Sequence, residues 1–252
     1  MKYFEYIPSL NLQNFILNFW MFEIEVNEEW QEPILHETIP DSSISIVLIN
    51  KPQYKGVRIL GPHSQKFQQA VFKGSIFLGI RLHPWIYFEM PTLKKMQLLN
   101  TTCAAPTEIE NHFNDLVYTN LKNSDTLKVI ETRLFELFNQ IEILQNSLIK
   151  YICLELSKGK SVAMITEELP YSIRVIQKKF KQVVGLTMRQ YQSNIRQRKI
   201  WEDFLKTSEN KLDTILKHNY FDQSHFINDF KKRMNRTHTD FESYLRSMEI
   251  KI

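Results

Sequence analysis

The sequence predicts an α+β protein: a small β-sandwich or barrel with helices in its N-terminal part, then an all-α part built from two helix-turn-helix units. Three observations lead there. Apolar residues alternate in short runs up to about residue 84 and recur at helical spacing beyond Pro91. One pattern is written twice, fifty positions apart, as FKQVVGLTMRQY at 180–191 and FKKRMNRTHTDF at 230–241. Positive charge gathers in the same region: residues 146–252 hold 20 Lys and Arg against 12 Asp and Glu, whereas residues 1–145 hold 12 against 16. Such asymmetry fits a nucleic-acid-binding half joined to a half with another task, although a solvated surface produces the same count.

In the N-terminal part WMFEIEV (20–26) alternates, SISIVLIN (43–50) is β-branched and apolar, VRIL (57–60) stops at Gly61 and Pro62, and SIFLGIRL (75–82) stops at His83 and Pro84. Strands this short at this spacing imply a sandwich or barrel. Further on, TLKVIETRLFELFNQIEIL (126–144) places Leu127, Ile130, Leu134, Leu137, Phe138, Ile141 and Leu144 on one helical stripe. That stripe is either core or a dimer seam, with core the favoured reading.

Enzyme chemistry finds little support. His36, His63 and His83 lie near strand ends, but none belongs to an H-x-H or H-E-x-x-H cluster that would hold two metal ligands on one element. No C-x-x-C pair, G-x-S-x-G elbow or Gly-rich phosphate loop occurs, and the chain has six glycines in all. Asp41, after Pro40, reads as a turn former. No catalytic residue, metal or cofactor is therefore expected. Cys103 and Cys153 sit among apolar neighbours, as in a reduced cytoplasmic protein. The N-terminus lacks a secretory layout, and no apolar run approaches the roughly 18 residues of a membrane span.

The C-terminal part begins with an apolar helix pattern at 147–157 that ends at Gly159. Ser161 opens a short helix, and Pro170 prevents it from continuing. Ser172 is the N-cap of the next helix, which runs to Val184 with Gly185 as a left-handed stop. Ile173, Ile176, Phe180 and Val184 fall on one side and are expected to pack inward, while Arg174, Gln177, Lys178 and Lys181 share the neighbouring side. A helix entering a major groove needs such a face: Arg and Lys donate to guanine edges, Gln pairs with adenine, and further cations meet phosphates. A solvated basic helix would look the same.

The repeat favours DNA. LDTILKH supplies a second short helix, Asp222 a second cap, and QSHFINDFKKRM a second reading helix with Phe226, Phe230 and Met234 inward. Ser224, Asn228 and Lys231 occupy the positions of Arg174, Lys178 and Lys181, and His225 and Lys232 border the same face. Base readout is expected chiefly from Arg174, Gln177 and Lys178, with Ser224, His225 and Asn228 secondary. Lys181, Lys231 and Lys232 are expected on phosphates. The helix between the modules, 188–205, would span roughly 27 Å, near the separation of about 34 Å between successive major grooves.

NYFDQSHFINDFKKR, followed by a Thr and an aromatic, resembles the signature segment of the AraC/XylS family of bacterial transcription regulators, over about residues 146–245. FW at Phe19 and Trp20, IPD at 39–41, GPHS at 61–64 and GIRLHP at 79–84 are similar to the cupin-like sensory domains of one branch of that family. The resemblance implies seven helices carrying two helix-turn-helix units, an N-terminal module for dimerisation, effector sensing or both, and activation through RNA polymerase. The chain departs from the family pattern at Asn219 and Asn235, where Gly is usual, at His238, where Pro is usual, and at Thr166, where a small Ala is usual. Asn tolerates the left-handed conformation, so both turns are expected to form.

The expected function is a cytoplasmic, sequence-specific DNA-binding regulator, an activator in sense. Residues 1–95 would form a β-rich cupin-like sensory domain, 96–145 a helical linker or dimerisation segment, and 146–252 the tandem helix-turn-helix domain. Expected partners are double-stranded DNA and RNA polymerase, with a small-molecule effector and a second copy of the chain as further candidates, and no membrane. The competing reading is a ligand-binding or protein-interaction module of the same fold that has lost strong DNA binding.

Overall fold

In the computed structural model, which describes residues 1–27, 29, 31–88, 97–206 and 211–252, the apolar run at 43–50 becomes an interior strand of a seven-stranded sheet. In chain order the strands are β1 (Lys2–Tyr6), β2 (Ile16–Glu23), β3 (Ile34–Thr38), β4 (Ser45–Lys51), β5 (Tyr54–Leu60), β6 (Phe67–Val71), β7 (Ile76–Leu82), β8 (Ile86–Phe88), β9 (Thr102–Ala104), β10 (Ile143–Gln145) and β11 (Glu249–Lys251). The large sheet has the order β11-β1-β2-β7-β4-β5-β9. It is antiparallel except where β11, from the end of the chain, lies parallel to β1. β3 pairs with β6, and β8 with β10, as separate ribbons.

The residues of β4 show how the sheet is covered. Ile46 and Leu48 enter one core, and Val47 and Ile49 enter another on the opposite face. A strand buried on both sides reads as a continuous apolar run, which is why 43–50 shows no alternation. On the Ile46 side, Phe19, Ile59 and Ile80 pack with α1 (Thr107–Phe113) and α2 (Ser124–Gln140). On the other side, Phe22 and Phe77 meet Ile34 of β3 and Val71 of β6. Gly79 lies opposite Trp20 in register, and a Cβ there would stand 1.9 Å from the indole, so only glycine lets the ring cross the strand.

Two elements differ from their expected bounds. The strand expected at 20–26 starts at Ile16 and stops at Glu23, because a register shift between Ile16 and Asn18 breaks the alternation that would have marked its beginning. The helix expected at 126–144 ends at Gln140; Ile141 is already extended, and Leu144 leaves the stripe to pair with Tyr87. Ile130, Leu134 and Leu137 are fully buried, which makes the stripe core. Pro91 and the boundary expected at 95–96 lie outside the described residues.

The helical part comprises α3 (Ser147–Ser157), α4 (Val162–Glu167), α5 (Ile173–Val184), α6 (Met188–Lys206), α7 (Lys211–Lys217), α8 (Gln223–Met234) and α9 (His238–Arg246), seven helices among the described residues after 146. The core on the Ile46 side continues into it through Ile149, Ile152, Cys153, Ile176, Phe180 and Tyr191. The second helix-turn-helix unit instead closes on its own core of Trp201, Phe204, Phe226, Phe230 and Phe241. The first unit thus shares the core of the β half, whereas the second has a core of its own and meets the β half through Ile39, Tyr244 and Met248. No helix among the described residues is long and apolar enough to cross a membrane.

Candidate nucleic-acid interface

Each reading helix is set by a cap, a stop and one buried face. The Ser172 hydroxyl accepts a hydrogen bond from the Val175 amide at 3.4 Å, and Gly185, at φ 83°, ends α5. Asp222 does the same for α8 through the His225 amide at 2.7 Å, and Asn235, at φ 49°, ends it. Asn219 also adopts a positive φ, 62°. The two asparagines therefore perform the turns for which the family pattern uses glycine. Thr166 bonds its hydroxyl back to Val162 and Ala163, and His238 takes the first helical position of α9 with its ring edge on Phe226.

The inward faces are Ile176, Phe180, Val183 and Val184 on α5, and Phe226, Phe230, Arg233 and Met234 on α8. Ile173 is a correction: expected inward, it is 51% exposed. It belongs to the first turn, where Tyr171, Ser172, Arg174 and Val175 are exposed as well, so a position on the apolar side of the wheel is left half uncovered. The polar faces are open. Arg174, Gln177, Lys178 and Lys181 are exposed on α5, and Ser224, His225, Asn228, Lys231 and Lys232 on α8. His225 is partly committed to its own turn, since its Nδ1 accepts from the Phe221 amide at 3.4 Å.

Asp229 anchors α8 to the connector. Its carboxylate accepts hydrogen bonds from Tyr220 at 2.7 Å, Ser193 at 2.8 Å and Gln197 at 3.2 Å, the last two on α6. Burial opposes its ionisation, but these donors and the nearby Arg233 charge hold the carboxyl below its ordinary value. Arg196 of α6 stacks over Tyr220, 4.8 Å from the ring centre.

The adjoining side of α6 and the end of α9 dock on the β half. Asn194 donates to Ser42 and to the His63 carbonyl, both at 2.9 Å, while also meeting Arg233. Arg198 bonds both oxygens of Glu5, Arg236 bonds Glu37 at 2.8 Å, and Tyr244 meets His36 Nδ1 at 2.6 Å. Between these contacts lies a cavity of about 220 Å³, walled by Trp20, Phe22 and Phe77 of the sheet, Trp201 of α6 and Leu245 of α9. Its cations are already engaged: Arg81 pairs with Glu5 at 3.0 Å and Asp41 at 2.9 Å, and Arg198 with Glu5. Asp41 also forms the expected turn, accepting from the Ser43 amide.

The three histidines are dispersed. His36 stacks on Phe22, His63 bonds the Gly61 carbonyl, and His83 stacks on Trp85. Among the described residues no cluster of His, Cys, Asp and Glu could hold a metal ion.

Two capped second helices, each burying an apolar face and presenting a polar one, are the arrangement of a helix-turn-helix DNA-binding domain. Residues 165–243 match a helix-turn-helix domain family, and residues 4–104 match a domain of unknown function (DUF6597). The C-terminal helical part is thus a DNA-binding helix-turn-helix domain, joined to a β-rich domain of another family. Among solved structures, an apo variant of ToxT from Vibrio cholerae aligns over 89% of this chain and 97% of its own, with 14% identity and a TM-score of 0.50. Wild-type ToxT from Vibrio cholerae bound to an unsaturated fatty acid aligns over 88% and 93%, with 16% identity and a TM-score of 0.48. At 14% identity the likeness to the apo variant is one of fold. No curated protein sequence matches the chain.

Proposed function

We propose that this protein is a cytoplasmic transcription activator that lays α5 and α8 in adjacent major grooves on one side of duplex DNA and contacts RNA polymerase from there. The observation that carries this reading is that repeat-related helices expose their polar faces while burying the opposite ones. Arg174, Gln177 and Lys178 read bases, Ser224, His225 and Asn228 add weaker readout, and Lys181, Lys231 and Lys232 meet phosphates. α6, with 19 residues, supplies a spacer of roughly 28 Å between the modules.

The experiment is selection of bound fragments from a random DNA pool by the purified chain. Enrichment of two short motifs about one helical turn apart is expected, doubled if the chain acts as a homodimer; an unenriched pool would sink the reading. The cavity is the seat of a small-molecule effector, because a ligand there touches the sheet, α6 and α9 together. Native mass spectrometry after exposure to a small-molecule cell extract is expected to show added mass, and a bare mass would remove the effector.

A further inference from the structure

Two aromatic residues occupy the same place in the two modules and remain exposed. Tyr171 precedes the Ser172 cap of α5, and Phe221, fifty positions on, precedes the Asp222 cap of α8. An apolar residue at this place ordinarily staples the helix start by packing on the fourth helical residue. Those fourth residues, Ile176 and Phe226, are fully buried, yet Tyr171 is 52% and Phe221 86% exposed. The staple therefore does not account for Phe221. Its neighbour Tyr220 is buried, and its own amide is tied to His225, so the ring is held on the outside by a fixed backbone. In the first module Ile173 and Val175, on either side of Arg174, are each 51% exposed as well. The leading turn of α5, and the residue just before the cap of α8, thus place exposed apolar side chains beside the polar faces of Arg174 and Lys178 or of Ser224 and Asn228.

We propose that Phe221 and, in the first module, Tyr171 with Ile173 and Val175 determine specificity by packing on thymine methyl groups in the major groove. The thymine C5-methyl is the one apolar group that a base pair displays there, and the N-terminal residues of a reading helix are those that reach base edges. The second module is where this matters most. Its outward Ser224 and Asn228 bring no charge, so apolar readout supplies discrimination that the polar face lacks.

This inference rests on the DNA-binding reading, and the test separates the two. In the fragment enriched by selection, each thymine is replaced in turn by deoxyuridine, which removes only the methyl, and affinity is measured by fluorescence anisotropy. Wild-type chain is expected to lose about three- to fivefold at one or two positions of the second half-site, the worth of one buried methyl. F221A is expected to bind the thymine site about as weakly as wild type binds the uracil site, and to lose nothing further on uracil substitution. Y171A should show the same at the first half-site. Because both residues are exposed, unchanged circular dichroism is expected for the variants. Specific binding indifferent to every thymine methyl, or equal uracil sensitivity in F221A and wild type, overturns this proposal alone. Loss of transcription with unchanged DNA affinity in F221A would assign Phe221 to a protein partner and overturn it also. Absence of specific DNA binding by wild type overturns both readings.

Discussion

Arg198, on the helix that links the two helix-turn-helix units, grips Glu5, on the first strand of the sheet, through two hydrogen bonds of 2.8 Å. The pair joins residues 193 positions apart and couples the geometry of α6 to the wall of the cavity. Although burial pushes the Glu5 carboxyl up, Arg81 and Arg198 together bring it down to about 2. Glu5→Gln leaves two largely buried guanidiniums short of a counter-charge and is expected to cost about 3 kcal/mol in urea unfolding at pH 7. Since the folded value lies below the ordinary 4.5, this contribution is whole above pH 4.5 and fades as pH falls toward 2. A wild-type and E5Q difference that stays constant across that window would contradict the pairing.

His36 makes a second pH-dependent term. Burial lowers its pKa to about 3, against the opposing Glu37 charge, with the Phe22 ring and the Tyr244 hydroxyl as its other neighbours. The folded chain keeps the imidazole neutral while the unfolded chain protonates it near 6.5, so its contribution is complete above that pH and is lost on acidification. Stability is expected to fall by up to about 1.4 kcal/mol per pH unit below 6.5 from this group. His36→Gln should flatten the slope between pH 6.5 and 5; an unaltered slope would place the titration elsewhere.

Removing the Asp229 carboxylate strands three donors, Tyr220, Ser193 and Gln197. Asp229→Ala is expected to destabilise the second module by roughly 2 to 3 kcal/mol. Hydrogen exchange should show faster opening of α7 and α8 than of α5, whose packing lies in the other core. Uniform loosening of both modules would mean that they do not melt separately.

Base and phosphate contacts respond differently to mutation. Arg174→Ala should cost about 1 to 3 kcal/mol on the selected site and little on random duplex. Lys232→Ala should weaken every sequence alike and lower the salt-dependence slope by about one. If Arg174→Ala costs the same on both duplexes, the residue does not read bases.

The helix-turn-helix units were readable because their information is local. Ser172, Asp222, Gly185 and Asn235 act through hydrogen bonds and backbone angles within a few residues, so spacing alone places them. Ile173 was misread because helical period says which side a residue lies on but not whether a neighbour extends far enough to cover it. Asp229 was visible only as an acid beside inward phenylalanines, a pattern that hints at a buried acceptor without naming its donors. β1 gave no alternation, since all five of its residues are half-buried, and β11, three residues at the edge of the sheet, is too short and too exposed to show an apolar side.

Local chemistry in the chain thus specified two capped helices with outward polar faces. Folding in three dimensions chose what those helices are attached to. It set Glu5 against Arg198 and His36 against Tyr244, laid the final strand beside the first, and left a cavity between sheet and connector. Those contacts join residues more than 190 positions apart, where no periodicity reaches and only the closing of a shared surface can bring partners together.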